Sequence, residues 1–299
     1  MKEYFFSVAG CCFSVQIPAD WSVARLLPSF HPFLVKGETR TDRLFQLVVG
    51  DAGLTNGVHD AELLEESTND LGYVRVMSAE QGFHIEVSYD EARKQIHTLD
   101  VNSSFDRAVA GIRYTDPTAG VALSSILRMV FAQTILRKGG ISVHASCVCK
   151  GGKGYLFLGR SGTGKSTHSE QWMAIFPDCK LLNDDNPVLR IQDGSVMVYG
   201  TPWSGKKACY LQEHYPVGGI VSLRQAPFNR FERLEDTGAF AAILPSCSAF
   251  RKDFGLQQEL YNTLIEVVES VPVGRLSCLP NNEAAVVCFD HLQPDGVKE

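Results

Sequence analysis

The chain has 299 residues, with 28 Lys and Arg against 34 Asp and Glu, for a formal charge of −6. That length suits two domains with full cores, while the acidic balance and the lack of any Lys/Arg-rich run speak against non-specific nucleic-acid binding. Nine cysteines, an odd number in a chain this long, do not form a disulfide framework, and the amino-terminal Met-Lys-Glu-Tyr-Phe-Phe has neither the basic stretch nor the apolar core of a leader. No run of about 18 apolar residues occurs, so a cytoplasmic protein without a membrane partner is expected.

The first 115 residues read as a mostly antiparallel, β-rich module. Tyr4–Ile17 is rich in apolar and aromatic residues around a turn at Gly10. Phe45–Val49, Tyr73–Met77, Phe83–Val87 and Gln95–Thr98 are short β runs separated by Gly, Asn and Asp. His31, His59, His84 and His97 have no partner at ligand spacing and read as ordinary histidines. Asp116-Pro117-Thr118 marks a break, and a second domain is expected over 116–299. Gly120–Arg137 opens it with apolar residues recurring at steps of three and four, the spacing of a core helix. Ser124, Arg128 and Gln133 interrupt that pattern and would leave part of its surface wet. Gly139-Gly140 supplies a helix stop.

Ile141–Cys149 reads as one strand with His144 near its middle. Cys147 and Cys149 share a face there and read as small buried hydrophobes. A Gly-rich turn leads to the strand Tyr155–Leu158. Lys165–Phe176 is helical in composition, and Lys180–Leu182 is a short strand ending in Asn183-Asp184-Asp185. Val188–Ile191 and Val196–Tyr199 form a hairpin about Asp193-Gly194. Gly219–Leu223 is a further strand, Asp253–Glu269 a helix, Val271–Leu279 a late strand, and the tail after Asp290 is polar.

Between the Tyr155–Leu158 strand and the next helix stands Gly159-Arg160-Ser161-Gly162-Thr163-Gly164-Lys165-Ser166-Thr167, a complete P-loop motif in the strand–loop–helix setting it requires. Gly159, Ser161, Gly162, Thr163, Gly164, Lys165, Ser166 and Thr167 are its candidate nucleotide-binding residues. Glycines let the backbone N–H groups curl toward phosphates, and the helix N-terminus adds a favourable dipole. Lys165 would reach the β- and γ-phosphates, and the Ser166 hydroxyl would ligate Mg²⁺. One helix and a turn later come Asp184 and Asp185, which can serve Mg²⁺ or take a proton from an attacking hydroxyl. Asp-Asp-Asn-Pro also has plain turn chemistry.

From about residue 120 to 290 this order resembles the HPr kinase/phosphorylase and phosphoenolpyruvate carboxykinase superfamily. The likeness rests on a buried helix, then Val143-His144-Ala145-Ser146, GRSGTGKST, Leu182-Asn183-Asp184-Asp185 with its hairpin, and Gly200-Thr201-Pro202-Trp203. It implies an α/β fold with a phosphoenolpyruvate carboxykinase-like P-loop core of mixed strands, behind a β-rich N-terminal domain. It also implies ATP with Mg²⁺, and a phosphoryl transfer from that nucleoside triphosphate to a hydroxyl acceptor that is a small molecule, peptide or protein. His144 matches the family's phosphate-side histidine. Of Asp184 and Asp185, one would assist the hydroxyl and the other serve the metal, with the order open. Related kinases assemble, so a homo-oligomer is an expectation too.

The chain departs from the family in two ways. It lacks the Gly-rich signature of the bifunctional HPr enzyme and carries Gly200-Thr201-Pro202-Trp203-Ser204-Gly205-Lys206-Lys207 in its place. It is also much shorter than a carboxykinase, whose carboxylate-binding arginines it does not match, so carboxykinase activity is not expected. Lys206 and Lys207 could contact phosphate or form an exposed turn, and Trp203 could line a cleft or pack. Arg224, Arg230 and Arg233 follow a strand and could reach a transferring phosphoryl group, but each alone reads better as a surface residue, and His168 reads as solvent-facing. The rival to a kinase is a regulator that binds nucleotide without catalysis.

Overall fold

The computed structural model describes residues 1–35, 42–55, 61–69, 71–90, 92–205 and 207–293; His59 and Lys206 lie outside them. It is a mixed α/β structure that divides into two compact units, Met1–Thr134 and Ile135–Glu299. The boundary expected near residue 115 differs from this division by the apolar helix, which groups with the first unit.

The first unit holds β1 (Lys2–Val8), β2 (Cys11–Ile17), α1 (Val23–Leu26), β3 (Gln46–Gly50), β4 (Leu63–Asn69), β5 (Gly72–Ala79), β6 (Gly82–Ser88), β7 (His97–Asn102), β8 (Arg107–Gly111) and α2 (Ala119–Thr134). Its eight strands form one sheet in the order β1-β2-β3-β8-β7-β6-β5-β4. Ala9 and Gly10, at φ 50° and 73°, turn β1 into β2 as a primed hairpin turn requires. The expected antiparallel character holds at both sides of the sheet, but β2–β3 and β3–β8 are parallel. These two pairings join segments far apart in the sequence, which no local pattern reports.

Phe6, Phe13, Phe45 and Phe131 form an aromatic core, with Phe13 stacked on Phe45 at 4.7 Å and edge-on to Phe131 of α2 at 6.0 Å. The apolar face of α2 buries Leu123, Ile126, Leu127 and Val130. Its α-helical part ends at Thr134, and Ile135–Lys138 tightens into a 3₁₀ turn before Gly139 at φ 65°. Gln133, expected wet, is buried and donates to the Met129 carbonyl at 3.3 Å. By length and composition Ala119–Lys138 could cross a membrane, with a mean hydropathy of 1.6, and 72% of that apolar window is buried.

The second unit holds β9 (Gly140–Ser142), β10 (Ala145–Lys150), β11 (Lys153–Leu158), α3 (Lys165–Ile175), β12 (Lys180–Asn183), β13 (Val188–Gln192), β14 (Ser195–Tyr199), β15 (His214–Gln225), β16 (Arg230–Leu234), α4 (Asp236–Ile243), α5 (Phe254–Ser270), β17 (Val273–Cys278) and α6 (Asn282–Leu292). A nine-stranded sheet runs β12-β10-β11-β15-β14-β13-β9, with β17 on β15 and β16 on β17. β11–β15 and β15–β17 are parallel, and β10, on the other side of β11, is antiparallel. Strand directions are therefore mixed around β11, the strand that feeds the Gly159–Thr167 loop.

Trp172 of α3 anchors this unit. It is fully buried between Tyr155 at 4.9 Å, Phe157 at 5.3 Å and Phe289 of α6 at 5.6 Å. That packing fixes where the first turn of α3 sits. α6, not anticipated from the sequence, covers α3 with Ala284, Ala285, Cys288 and Leu292. All nine cysteines are free thiols, and Cys147 and Cys149 are buried as expected. Burial pushes the Cys149, Cys179 and Cys247 thiols up to about 12.

Candidate functional site

The expected strand Ile141–Cys149 is broken. Val143 N–H donates to Pro187 O at 3.0 Å and His144 N–H to Ser246 O at 2.7 Å, so the backbone leaves β9 before β10 begins. His144 stands at this break, outside the named strands.

The Gly159–Thr167 loop leaves the end of β11 and enters α3. Gly162 and Gly164 take φ of 78° and 107°, a left-handed backbone that glycine adopts without a Cβ penalty. Gly164 is the N-cap of α3 and no side chain caps that helix, so its first N–H groups remain available to an anion. The loop is braced by Thr163 Oγ1 donating to Arg160 O at 2.7 Å and by Gln225 Nε2 donating to Gly162 O at 3.2 Å. Ser161, Ser166 and Thr167 are exposed.

Lys165 Nζ donates to Gly159 O at 2.9 Å and lies 2.9 Å from His144 Nε2. An ammonium has no acceptor, so Nε2 accepts and the ring proton sits on Nδ1. That nitrogen is 3.1 Å from Asp185 Oδ1. Lys165, His144 and Asp185 thus form one chain from the loop to a carboxylate. Asn186 Nδ2 donates to the other Asp185 oxygen at 2.9 Å.

Asp184 has a different setting. It is buried, and its Oδ1 accepts from Ser146 Oγ at 2.7 Å; Ser146 in turn lies 2.7 Å from Ser169 Oγ of α3. With the Ser146 proton given to Asp184, Ser169 is the donor to Ser146. The structure therefore directs the two adjacent carboxylates apart, Asp184 toward α3 and Asp185 toward His144.

Asn183 is what holds this turn. Fully buried, it donates through Nδ2 to Trp203 O at 3.0 Å and Thr201 Oγ1 at 3.1 Å, while its Oδ1 accepts from Asp185 N at 3.0 Å and Asn186 N at 2.8 Å. Trp203 is 5% exposed, so it packs. Sequence reasoning singled out neither Asn183 nor Ser146 nor Ser169. The signal for Asn183 was its place at the start of a turn-forming run, where an Asx side chain bonds backbone N–H groups ahead of it.

For Mg²⁺, the donors of Ser166, Asp184 and Asp185 are all oxygen. Among the described residues no group of three or more His, Cys, Asp or Glu side chains is placed to hold a metal. Carboxylate and hydroxyl oxygens, with no nitrogen or sulfur donor among them, suit an ion that takes one or two carboxylates and completes its shell with phosphate and water.

A cavity of about 1060 Å³ opens over the loop, lined by His144, the 159–163 segment, Ser222–Gln225 of β15, small residues of α4 and Arg275. Arg160, Arg224 and Arg275 bring three guanidinium groups to it. Arg275 also pairs with Glu232 at 3.1 Å. Arg230 and Arg233 lie on β16 opposite Ser277 and Gly274 and do not line this cavity. Lys207 pairs with Glu170 at 2.6 Å, with both side chains largely exposed.

His168 corrects the sequence expectation. Instead of facing solvent it is 2% exposed, edge-on to Phe157 at 4.6 Å. Trp172 Nε1 donates to its Nε2 at 3.0 Å, and Nδ1 has no hydrogen-bond partner. Burial pushes its pKa down to about 4, against a smaller opposing pull from Gln171. The spacing of His168 and Trp172, one helical turn apart, was the legible sign that both share a face.

No protein-family model and no curated protein matches the chain. Among solved structures it is similar to the HPr(Ser) kinase/phosphatase from Coxiella burnetii, at 14% identity over 50% of this chain and 95% of that one. The TM-score is 0.29, a likeness too slight to carry an argument.

Proposed function

We propose that this protein is an ATP- and Mg²⁺-dependent, HPr kinase-like phosphotransferase that moves the γ-phosphoryl group to a hydroxyl, on a phosphoenolpyruvate carboxykinase-like P-loop core. The observation that carries the reading is the Lys165–His144–Asp185 chain, with Asp184 turned the other way beside it.

The backbone N–H groups from Gly159 to Thr167 cradle the phosphates, and the Lys165 ammonium sits at the β/γ end. Ser166 and Asp184 would hold Mg²⁺, which would supply charge neutralisation for the transferring phosphoryl group. Asp185 is the base. It takes the proton of the acceptor hydroxyl as the new O–P bond forms and the bond from Pγ to the β-phosphate oxygen breaks. His144 is a positioning residue for Asp185: its Nδ1–H fixes one carboxylate oxygen and leaves the other, near Asn186, to accept. Arg160 and Arg224 supply positive charge to the cavity where the acceptor docks, so an acceptor bearing negative charge suits it. Positioning and charge stabilisation supply most of the rate in such a reaction.

The test is transfer from γ-labelled ATP, with Mg²⁺, to a panel of hydroxyl-bearing metabolites and peptides. Asp185→Asn is expected to lower transfer by about 10²–10⁴-fold while nucleotide binding persists. An Asp184→Asn, Asp185→Asn double variant that bound nucleotide and kept its biological effect would establish a non-catalytic nucleotide-binding regulator instead.

A further inference from the structure

Helix α5 carries two apolar faces. Leu256, Leu260, Leu264 and Val267 are buried, and the helix meets β9, β13, β14 and α4. The second face is open. Phe254 is 78% exposed, more than any other large apolar side chain among the described residues, and Ile265 is 45% exposed. Tyr261 and Val268 are half-buried. At 3.6 residues per turn these four positions fall within about 60° of one another, so they form one stripe along the helix. Phe240 of α4 meets Tyr261 edge-on at 5.6 Å and widens the stripe. Apolar residues gathered in a stripe, unlike scattered single ones, mark a contact surface.

The charges at the two ends of the helix say what covers it. Arg251 and Lys252 precede the helix, and Glu269 stands near its far end, about 60° round from Phe254. Asp253 is taken up in capping the helix, accepting from Leu256 N at 2.9 Å. Glu259 and Glu266 lie more than about 100° round from Phe254 and face away from the stripe. The stripe is therefore basic at one end and acidic at the other.

A second copy of the same helix, run antiparallel, satisfies the apolar and the charge pattern in one register. With Tyr261 opposite its own counterpart, Phe254 of one copy comes opposite Val268 and beside Ile265 of the other, and Lys252 comes beside Glu269. A parallel pairing would instead set Glu269 against Glu269 and Lys252 against Lys252. The antiparallel contact is isologous, the two-fold kind that most homo-oligomers use, and it sets each helix dipole against the opposite end of its neighbour's. The helix has 17 residues, a length of about 25 Å. Two such faces bury on the order of 1,000 Å² together, the lower end for a specific interface, which suits a dimer of micromolar affinity.

We propose that the α5 stripe is a two-fold interface between copies of this chain, with Phe254 as its anchor and Lys252–Glu269 pairs at its two ends. Phe240 belongs to α4, whose Gly238, Ala241 and Ala242 line the large cavity, so the contact braces one wall of that cavity.

Sedimentation velocity on the full chain, over about 1–200 µM, reads the self-association. Wild type is expected to pass from monomer to dimer within that range. Phe254→Asp puts a charge on the stripe in a first helical turn, where an acidic residue is favourable; an unchanged melt by circular dichroism verifies that the fold persists. The dimer dissociation constant of this variant is expected to rise about 30-fold or more, the effect of a lost anchor. Lys252→Glu and Glu269→Lys each act twice across a two-fold contact, and each is expected to weaken the dimer about fivefold. The two together are expected to restore it to within about twofold of wild type. A wild type that stays monomeric at about 200 µM overturns the proposal and leaves the stripe to a partner of another kind. A dimer that Phe254→Asp does not weaken, or a combined charge variant no tighter than either single one, overturns it as well.

Discussion

Asn183→Ala removes a side chain that ties the Asp184–Asp185 turn to the Thr201–Trp203 segment. The truncation leaves the Asp185 and Asn186 N–H groups without their acceptor, in a place where Asn183 and Asn186 are 0% and 2% exposed. Each orphaned N–H costs about 1–3 kcal/mol, and the lost bonds to Thr201 and Trp203 add about 1 kcal/mol. The expected loss is about 3–7 kcal/mol, a large share of the roughly 5–15 kcal/mol that stabilises a domain. Urea unfolding in a Trp21→Phe background measures it, because Trp172 and Trp203 then report the second unit alone. Phosphoryl transfer, if the proposed function holds, falls together with stability, since the same turn aims both carboxylates. A loss below about 1 kcal/mol would refute the argument and mean that the turn keeps its shape without the Asn183 amide.

Ser146→Ala takes a hydroxyl from a buried carboxylate, a charge-assisted bond worth about 1.5–3 kcal/mol; a lowered thermal midpoint in differential scanning calorimetry checks it. Trp172→Ala empties the centre of the second unit and is expected to cost about 3–5 kcal/mol, read from the same urea transition through circular dichroism. Glu170→Ala breaks the exposed pair with Lys207 and should shift stability by no more than about 1 kcal/mol; a larger change in unfolding midpoint would show that the pair is not simply solvated. His97, held by Arg113 N and facing Thr118, has its pKa lowered from 6.5 chiefly by burial. The unfolded chain then binds that proton more readily, so the stability His97 contributes is complete above pH 6.5 and is lost as the pH falls below it. In His97→Gln the acid side of the first unit's stability profile should flatten.

Local patterns in the sequence were read well where they closed on themselves. The P-loop motif predicts a strand, a loop with left-handed glycines and a helix, and β11, the Gly162 and Gly164 conformations and α3 are arranged so. The Asp193-Gly194 turn likewise makes the β13–β14 hairpin. What escaped was set by distant partners. His144 sits at a strand break because Pro187 and Ser246 compete for backbone bonds that a continuous ladder would have used. His168 is buried because the helix face it shares with Trp172 packs on Phe157 of β11, and Trp172 in turn meets Phe289 of α6, more than a hundred residues away in the chain. The separation of Asp184 from Asp185 follows from Ser146 on one side and His144 on the other, a division of labour invisible in a run of two identical letters.

The state of the thiols has a practical side. With pKa values near 12 for Cys149, Cys179 and Cys247, only about one in 10⁵ of each is thiolate at neutral pH, and the thiolate is the species that reacts. Burial also holds the Cys147 and Cys288 thiols well above their usual range. Alkylating reagents will therefore find a new cysteine on the surface, such as Ser161→Cys on the loop, well before these native ones. A fluorophore placed there can follow ligand arrival once the half-buried Cys209 and Cys278 are replaced.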